Sequence, residues 1–263
     1  MKKICFTILV LYSSMMMGCA TPNTSINVSK EESEIFSADM ESQSSQKEEI
    51  AEVAFEKELK ETDNPRIAEL LNVSGIYFDG FNQERYHYQI PQFNVDSESA
   101  KAVNKRIEEN LSEIIEQEVA NISGGYSLVT CSVTYESFEY GDITAIVVTV
   151  PYPNDCIDYL VYTYDFQKDK ELTNAELLAM NGMTEDEFVT EVCRLQEEDF
   201  IELVKSCPTP MFDQETIDGY IDNVNAYATV ELPMYFDDNG TLQVYVPFAS
   251  LAGADWYYQL RHF

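Results

Sequence analysis

The stretch "LVTCSVTYESFEYGDITAIVVTVPYPNDCIDYLVYTYDF", Leu128 to Phe166, decides the fold. Its first part alternates, with Val129, Cys131, Val133 and Tyr135 on one face, as a half-buried strand requires. "ITAIVVTV", Ile143 to Val150, is apolar throughout and predicts a central strand covered on both sides. "YLVYTYDF", Tyr159 to Phe166, puts Leu160, Tyr162, Tyr164 and Phe166 on one face. Turns at Tyr140-Gly141-Asp142 and Pro151 to Asp155 join the three runs as an antiparallel meander.

On the N-terminal side, Gly75, Gly80 and Asn82 punctuate "GIYFDGF" and "RYHYQIPQF", which read as a hairpin. "DSESAKAVNKRIEENLSEIIEQEVANI" follows with Ala100, Val103, Ile107, Leu111, Ile114, Ile115 and Val119 at helical spacing, capped by Asp96 or Ser97. On the C-terminal side, "TNAE" at Thr173 and "TEDE" at Thr184 are capping boxes, in which hydroxyl and carboxylate satisfy orphan backbone donors. The second predicts a helix to about Lys205, with Phe188, Val189, Val192, Cys193, Leu203 and Val204 roughly aligned. "DQETIDGYIDNV" predicts a further short helix. Two strands, "AYATVELPMYF" and "TLQVYVPF", close the chain around Asp237-Asp238-Asn239-Gly240. Their apolar faces are Val230, Leu232, Met234, Phe236 and Leu242, Val244, Val246, Phe248. The expected fold is α+β, a mostly antiparallel sheet with helices packed on it.

The first residues carry a different message. Lys2 and Lys3 precede a short apolar run, "ICFTILVLY", too short to span a bilayer with ease. Met16-Met17-Gly18-Cys19 resembles the bacterial lipobox, with Met17 where a small residue is usual. That resemblance implies a signal peptide over residues 1–18, a diacylglyceryl group on the Cys19 thiol, and a chain anchored on the extracytoplasmic face of the cell membrane. Two or more acyl chains anchor stably where one does not. Residues 19–63 are acidic and serine-rich and read as a disordered tether reaching roughly 35–40 Å. Residues 64–263 are the expected folded domain.

The domain's chemistry is sparse. His87 sits between two tyrosines and His262 is penultimate, so both read as structural. No His-Glu-x-x-His, Cys-x-x-Cys, Gly-x-Ser-x-Gly, Ser-x-x-Lys or phosphate-binding glycine loop occurs. Asp165 to Asp169 and Asp237 to Gly240 echo fragments of a calcium loop, but a hairpin turn explains each, so no metal and no cofactor is expected. The whole chain has a net charge of −31, and residues 64–263 hold 35 acidic against 10 basic residues. That balance disfavours nucleic acid and favours cationic partners or divalent ions. Cys131, Cys156, Cys193 and Cys207 are an even set, which invites disulfides outside the membrane. Cys193 and Cys207 would lie about 21 Å apart on a continuous helix, and Cys131 and Cys156 roughly 9–10 Å apart across a middle strand. Pairing and packing as small hydrophobes both stay open. Tyr227, Tyr235 and Tyr245, opposite the apolar face, suggest a binding face of rigid, amphipathic rings.

Three landmarks together resemble a known extracytoplasmic domain. "VNKRI" at Val103 is similar to its Ile-Asn-x-x-Ile signature. "YTYDFQKDKELTNAELL" at Tyr162 is similar to its strand, turn and helix, and "YFDDNGTLQVYVPFASLAGA" at Tyr235 to its closing hairpin. This uncharacterised domain accompanies the catalytic domain of a peptidoglycan polysaccharide deacetylase and occurs in the lysozyme-sensing anti-sigma factor. "YPNDC" replaces the family's tyrosine-glycine-alanine-histidine stretch, and the deacetylase's metal-binding histidines are missing. The resemblance implies the fold, the location and, by analogy, function. The first expectation is a non-catalytic module that binds or senses a wall component or a cationic protein such as lysozyme. The alternatives are a carboxylate-dependent enzyme on cell-wall glycans and an accessory structural lipoprotein.

Overall fold

The computed structural model describes residues 55–153, 156–207, 212–249 and 256–263. Cys19, the signal segment and most of the acidic linker lie outside the described residues. None of the described helices is long and apolar enough to cross a membrane.

The folded part reaches back beyond residue 64. The Phe55 ring lies 5.8 Å from Tyr86 and 5.9 Å from Tyr88. Lys57 Nζ donates to Ser112 Oγ at 2.8 Å, and β1 (Lys60–Glu61) pairs antiparallel with β2 (Ile67–Phe78). For residues 55–63 the expectation of a disordered tether is therefore corrected. Composition predicted solvation, but one half-buried ring and main-chain pairing hold the segment on the sheet.

β2 turns back into β3 (Gln83–Phe93) over a tight loop in which Asp79 Oδ1 accepts from the N–H groups of Phe81 and Asn82 at 2.7 and 2.6 Å. Ser97 then caps α1 (Glu98–Gly124), its Oγ accepting from Ala100 N–H at 3.0 Å. Gly125, at φ 72°, ends the helix in the left-handed conformation a side chain disfavours. The asparagine of "VNKRI" has a physical role: Asn104 accepts from Phe93 N–H at 2.8 Å and donates to Phe93 O at 2.9 Å, docking α1 on the end of β3.

The helix carries the chain across to β4 (Ser132–Tyr140), which runs parallel to β3. The predicted meander follows as β4, β5 (Ile143–Pro151) and β6 (Ile157–Asp165), with two-residue β7 (Lys170–Glu171) folding back on β6. The seven strands lie in chain order. α1 covers one face through Ala100, Val103, Ile107, Leu111 and Ile115, packed on Tyr88, Ile146, Val148 and Tyr164.

Both capping boxes form, introducing α2 (Asn174–Met180) and α3 (Glu185–Ser206). α4 (Gln214–Asn225) begins at the Asp213 cap. The closing sheet is three-stranded, in the order β10 (Trp256–His262), β9 (Leu242–Ala249), β8 (Met234–Phe236). The expected pair of closing strands gains β10 as a partner, and the expected first strand shortens to its last three residues. Val230 and Leu232 still pack in the apolar cluster with α2 and α3, from turns instead of a strand. The second face of β5, through Ala145 and Val147, meets Tyr235 and Tyr245 of the small sheet. The layers run α1, large sheet, small sheet, α3. β5 is buried on both faces, as its unbroken apolar run predicts.

Candidate functional site

A groove of about 650 Å³ runs along the free edge of β6, between α1 and the segment leading into β8. Arg106 and Asn110 are one helical turn apart on α1 and share a face. Asn110 Nδ2 donates to the Tyr162 hydroxyl at 3.0 Å, and the Arg106 guanidinium stands 5.9 Å from the Tyr162 ring centre. Arg106 also pairs with Glu171 of β7. Burial pushes the Tyr162 hydroxyl above the usual phenol range, against the pull of Asn110 and Arg106. Glu185, at the start of α3, and Glu231 complete the acidic lining. Glu231 is placed by Asn174, whose Nδ2 donates to Val230 O at 2.7 Å and Leu232 O at 3.0 Å. Thr163 Oγ1, at the end of the groove, is buried with no hydrogen-bond partner among the described residues. The groove thus sets carboxylate acceptors opposite amide, guanidinium and phenol donors.

The residues singled out in the sequence fall elsewhere. Tyr235 is 2% exposed against Phe138, at 4.6 Å, and Tyr245 stacks on Tyr159 at 3.7 Å. Tyr227 is 54% exposed after α4. The expected tyrosine binding face is thus corrected: the small sheet packs its second face on the large one, so two of the three rings are interlayer filling. Cys131, Cys156, Cys193 and Cys207 are free, half-buried thiols. α3 is continuous to Ser206, so Cys193 and Cys207 are far apart, and β5 separates β4 from β6, keeping Cys131 from Cys156. Burial raises the thiol pKa of Cys131 and of Cys193 above the ordinary range, as inert packing cysteines require. His87 bonds Asn72 at 3.1 Å and His262 bonds Gln243 at 2.6 Å, away from the groove lining.

The two calcium-like runs are turns. Asp165 Oδ1 accepts from the N–H groups of Gln167 and Lys168, and Asp237 Oδ1 from those of Asn239 and Thr241. Their Oδ1 atoms are spent on the local main chain, and their Oδ2 atoms on Lys168 Nζ and Gln243 Nε2.

No sequence motif pointed to the groove. Its acidic residues are three among 47, and only the meeting of α1, β7 and the 230–234 segment gives them a shared role. The one available signal was "ELTNAE", where Glu171 adjoins a capping box.

No family model matches the chain. Among curated proteins, a probable dihydroorotate dehydrogenase A (fumarate) occurs in each of two Streptococcus pneumoniae strains. Each is 34% identical over 117 residues, a match covering 39% of this chain and 36% of the relative. The chain spans about a third of the length of the curated relatives it matches. This likeness to a curated enzyme overturns the expectation of a non-catalytic domain, and with it the binding or sensing function expected for a wall component or for lysozyme.

Proposed function

We propose that the chain is an enzyme of the cell envelope, acting on a glycan by carboxylate acid–base chemistry in the groove and held outside the membrane by lipid on Cys19. The observation that carries this reading is the gathering of Glu171, Glu185 and Glu231 around Arg106, Asn110 and Tyr162 in one open groove. A sugar hydroxyl both donates and accepts, so a glycan site needs both kinds of partner within reach. Glycoside cleavage needs one carboxyl group to protonate the leaving oxygen and a second to activate water or attack the sugar. In this scheme Arg106 orients Glu171 through their ion pair, and Glu231, which makes no ion pair among the described residues, is the second carboxyl group. The 117-residue likeness to a curated enzyme supports catalysis and also favours a second reading, oxidation of dihydroorotate with fumarate as acceptor.

One assay separates the two. Purified chain is incubated with cell-wall glycan while reducing ends are measured, and in parallel with dihydroorotate and fumarate. The expected result is reducing-end release that falls about 100-fold or more in Glu171→Gln and Glu231→Gln. Release unchanged in both variants, or none at all, sinks the glycan reading. Turnover of dihydroorotate would place the chemistry with the relatives instead.

A further inference from the structure

One wall of the groove is main chain. β6 pairs with β5 along all 9 of its residues. On the other side, β7 covers only Tyr164 and Asp165, and Leu172 N–H adds one bond to Thr163 O at 2.9 Å. Successive residues of an antiparallel strand turn their N–H and C=O groups to opposite edges. Phe166 N–H donates to Asp142 O beside β5, so the even-numbered residues of this stretch face β5. The bond from Leu172 to Thr163 shows that the odd-numbered ones face the groove. Tyr159 and Val161 therefore present both main-chain groups to the groove, and no described residue bonds them there.

Exposed strand edges are ordinarily blunted by proline, lysine, a bulge or a cover. "IDYLVYT", Ile157 to Thr163, has neither proline nor lysine, and its register with β5 is unbroken. By contrast, β1 and β8 are two and three residues long, too short to template much pairing. The free edge of β6 lies in the groove, between α1 and the 230–234 segment.

We propose that the groove binds an extended peptide as an added strand on β6, anchored by the main chain of Tyr159 and Val161. Glu185 and Glu231 select a peptide with a positive side chain, since Arg106, the one cation of the lining, is already paired with Glu171. Main-chain bonds supply affinity in such strand addition and flanking groups supply selectivity. The inference rests on the groove being the binding surface and goes beyond its chemistry, so the test reads binding and not turnover.

The probe is a blocked octapeptide of alternating valine and lysine, titrated against the full chain while amide exchange of Tyr159 and Val161 is followed by NMR. Both amides should gain protection on binding. Val161→Pro deletes only a groove-facing donor and leaves the β5 ladder intact, so it should weaken binding about tenfold, while Val161→Ala should not. Two N-methylated peptides, blocked at alternate sets of amides, keep the test valid if the proline variant fails to fold. One set should abolish binding and the other preserve it. Equal binding by both methylated peptides, no protection at Val161, or no binding at millimolar peptide overturns the proposal.

Discussion

Glu118→Ala tests the packing of α1 on the sheet most directly. Glu118 is 1% exposed, on the inner face of α1. Its Oε2 accepts from Val129 N–H at 3.0 Å and Asn121 Nδ2 at 3.2 Å, and its Oε1 from Thr130 N–H at 3.3 Å. These bonds hold the segment by which the chain leaves α1 and enters β4. Tyr88 donates to Thr130 O at 3.0 Å from the opposite side. Thr130 is 1% exposed, so its N–H would be left without a partner, at about 1–3 kcal/mol. Val129 is 47% exposed and its N–H can turn to water, so its loss is smaller. Adding the vacated side-chain volume, the variant should lose about 3–5 kcal/mol. In a domain of this size each 1 kcal/mol lowers Tm by about 2–4 °C, so the expected drop is roughly 10 °C. The assay is a thermal melt followed by circular dichroism, with Glu118→Gln and Glu118→Met beside the alanine variant. Gln keeps one acceptor and should lose about half as much. Met restores volume without acceptors and should remain close to Ala. A drop under about 3 °C for Ala, or a Met variant as stable as wild type, would refute the hydrogen-bond account.

Three further outcomes are expected. Cys19→Ser should leave unprocessed precursor or release the protein from the membrane; normal processing and retention would end the anchor reading. Phe55→Ala removes a ring packed on Tyr86 and Tyr88 and should cost about 2–3 kcal/mol, less than a fully buried phenylalanine. It should also open residues 55–63 to protease, whereas equal resistance in both proteins would show that β1 alone holds the segment. Asp165 is 3% exposed, and its burial opposes the charged form, yet Lys168 and the N–H groups of Lys168 and Gln167 hold its pKa below the usual carboxylate range. A depressed folded pKa stabilises above the unfolded value near 4 and is lost as pH falls through the folded one. Asp165→Asn should therefore lower Tm at pH 6, with the gap to wild type closing as pH drops below about 4; a gap that widens there would contradict the sign.

Local periodicity determined most of the long elements of this protein, but neither β1 nor β10. The apolar run of Ile143 to Val150 could only be a strand covered twice, and it is. The hydroxyl–carboxylate pairs of Thr173 with Glu176 and Thr184 with Glu187 set two helix starts, because a cap is satisfied within four residues. What covers a face is not a local property. Tyr235 and Tyr245 look outward by alternation, and only the stacking of the small sheet on β5 turns them inward. Glu118 reads as a solvated glutamate on a charged helix until the Val129–Thr130 segment closes over it. The groove is more distant still from sequence, since Arg106, Glu171 and Glu231 meet only when the crossover helix, the β6–β7 turn and the approach to β8 converge on one strand edge. Composition had made the domain's carboxylates interchangeable. Tertiary structure singles out three of them by placing them beside donors and an open strand edge, because side chains far apart along the chain acquire a common environment only by folding.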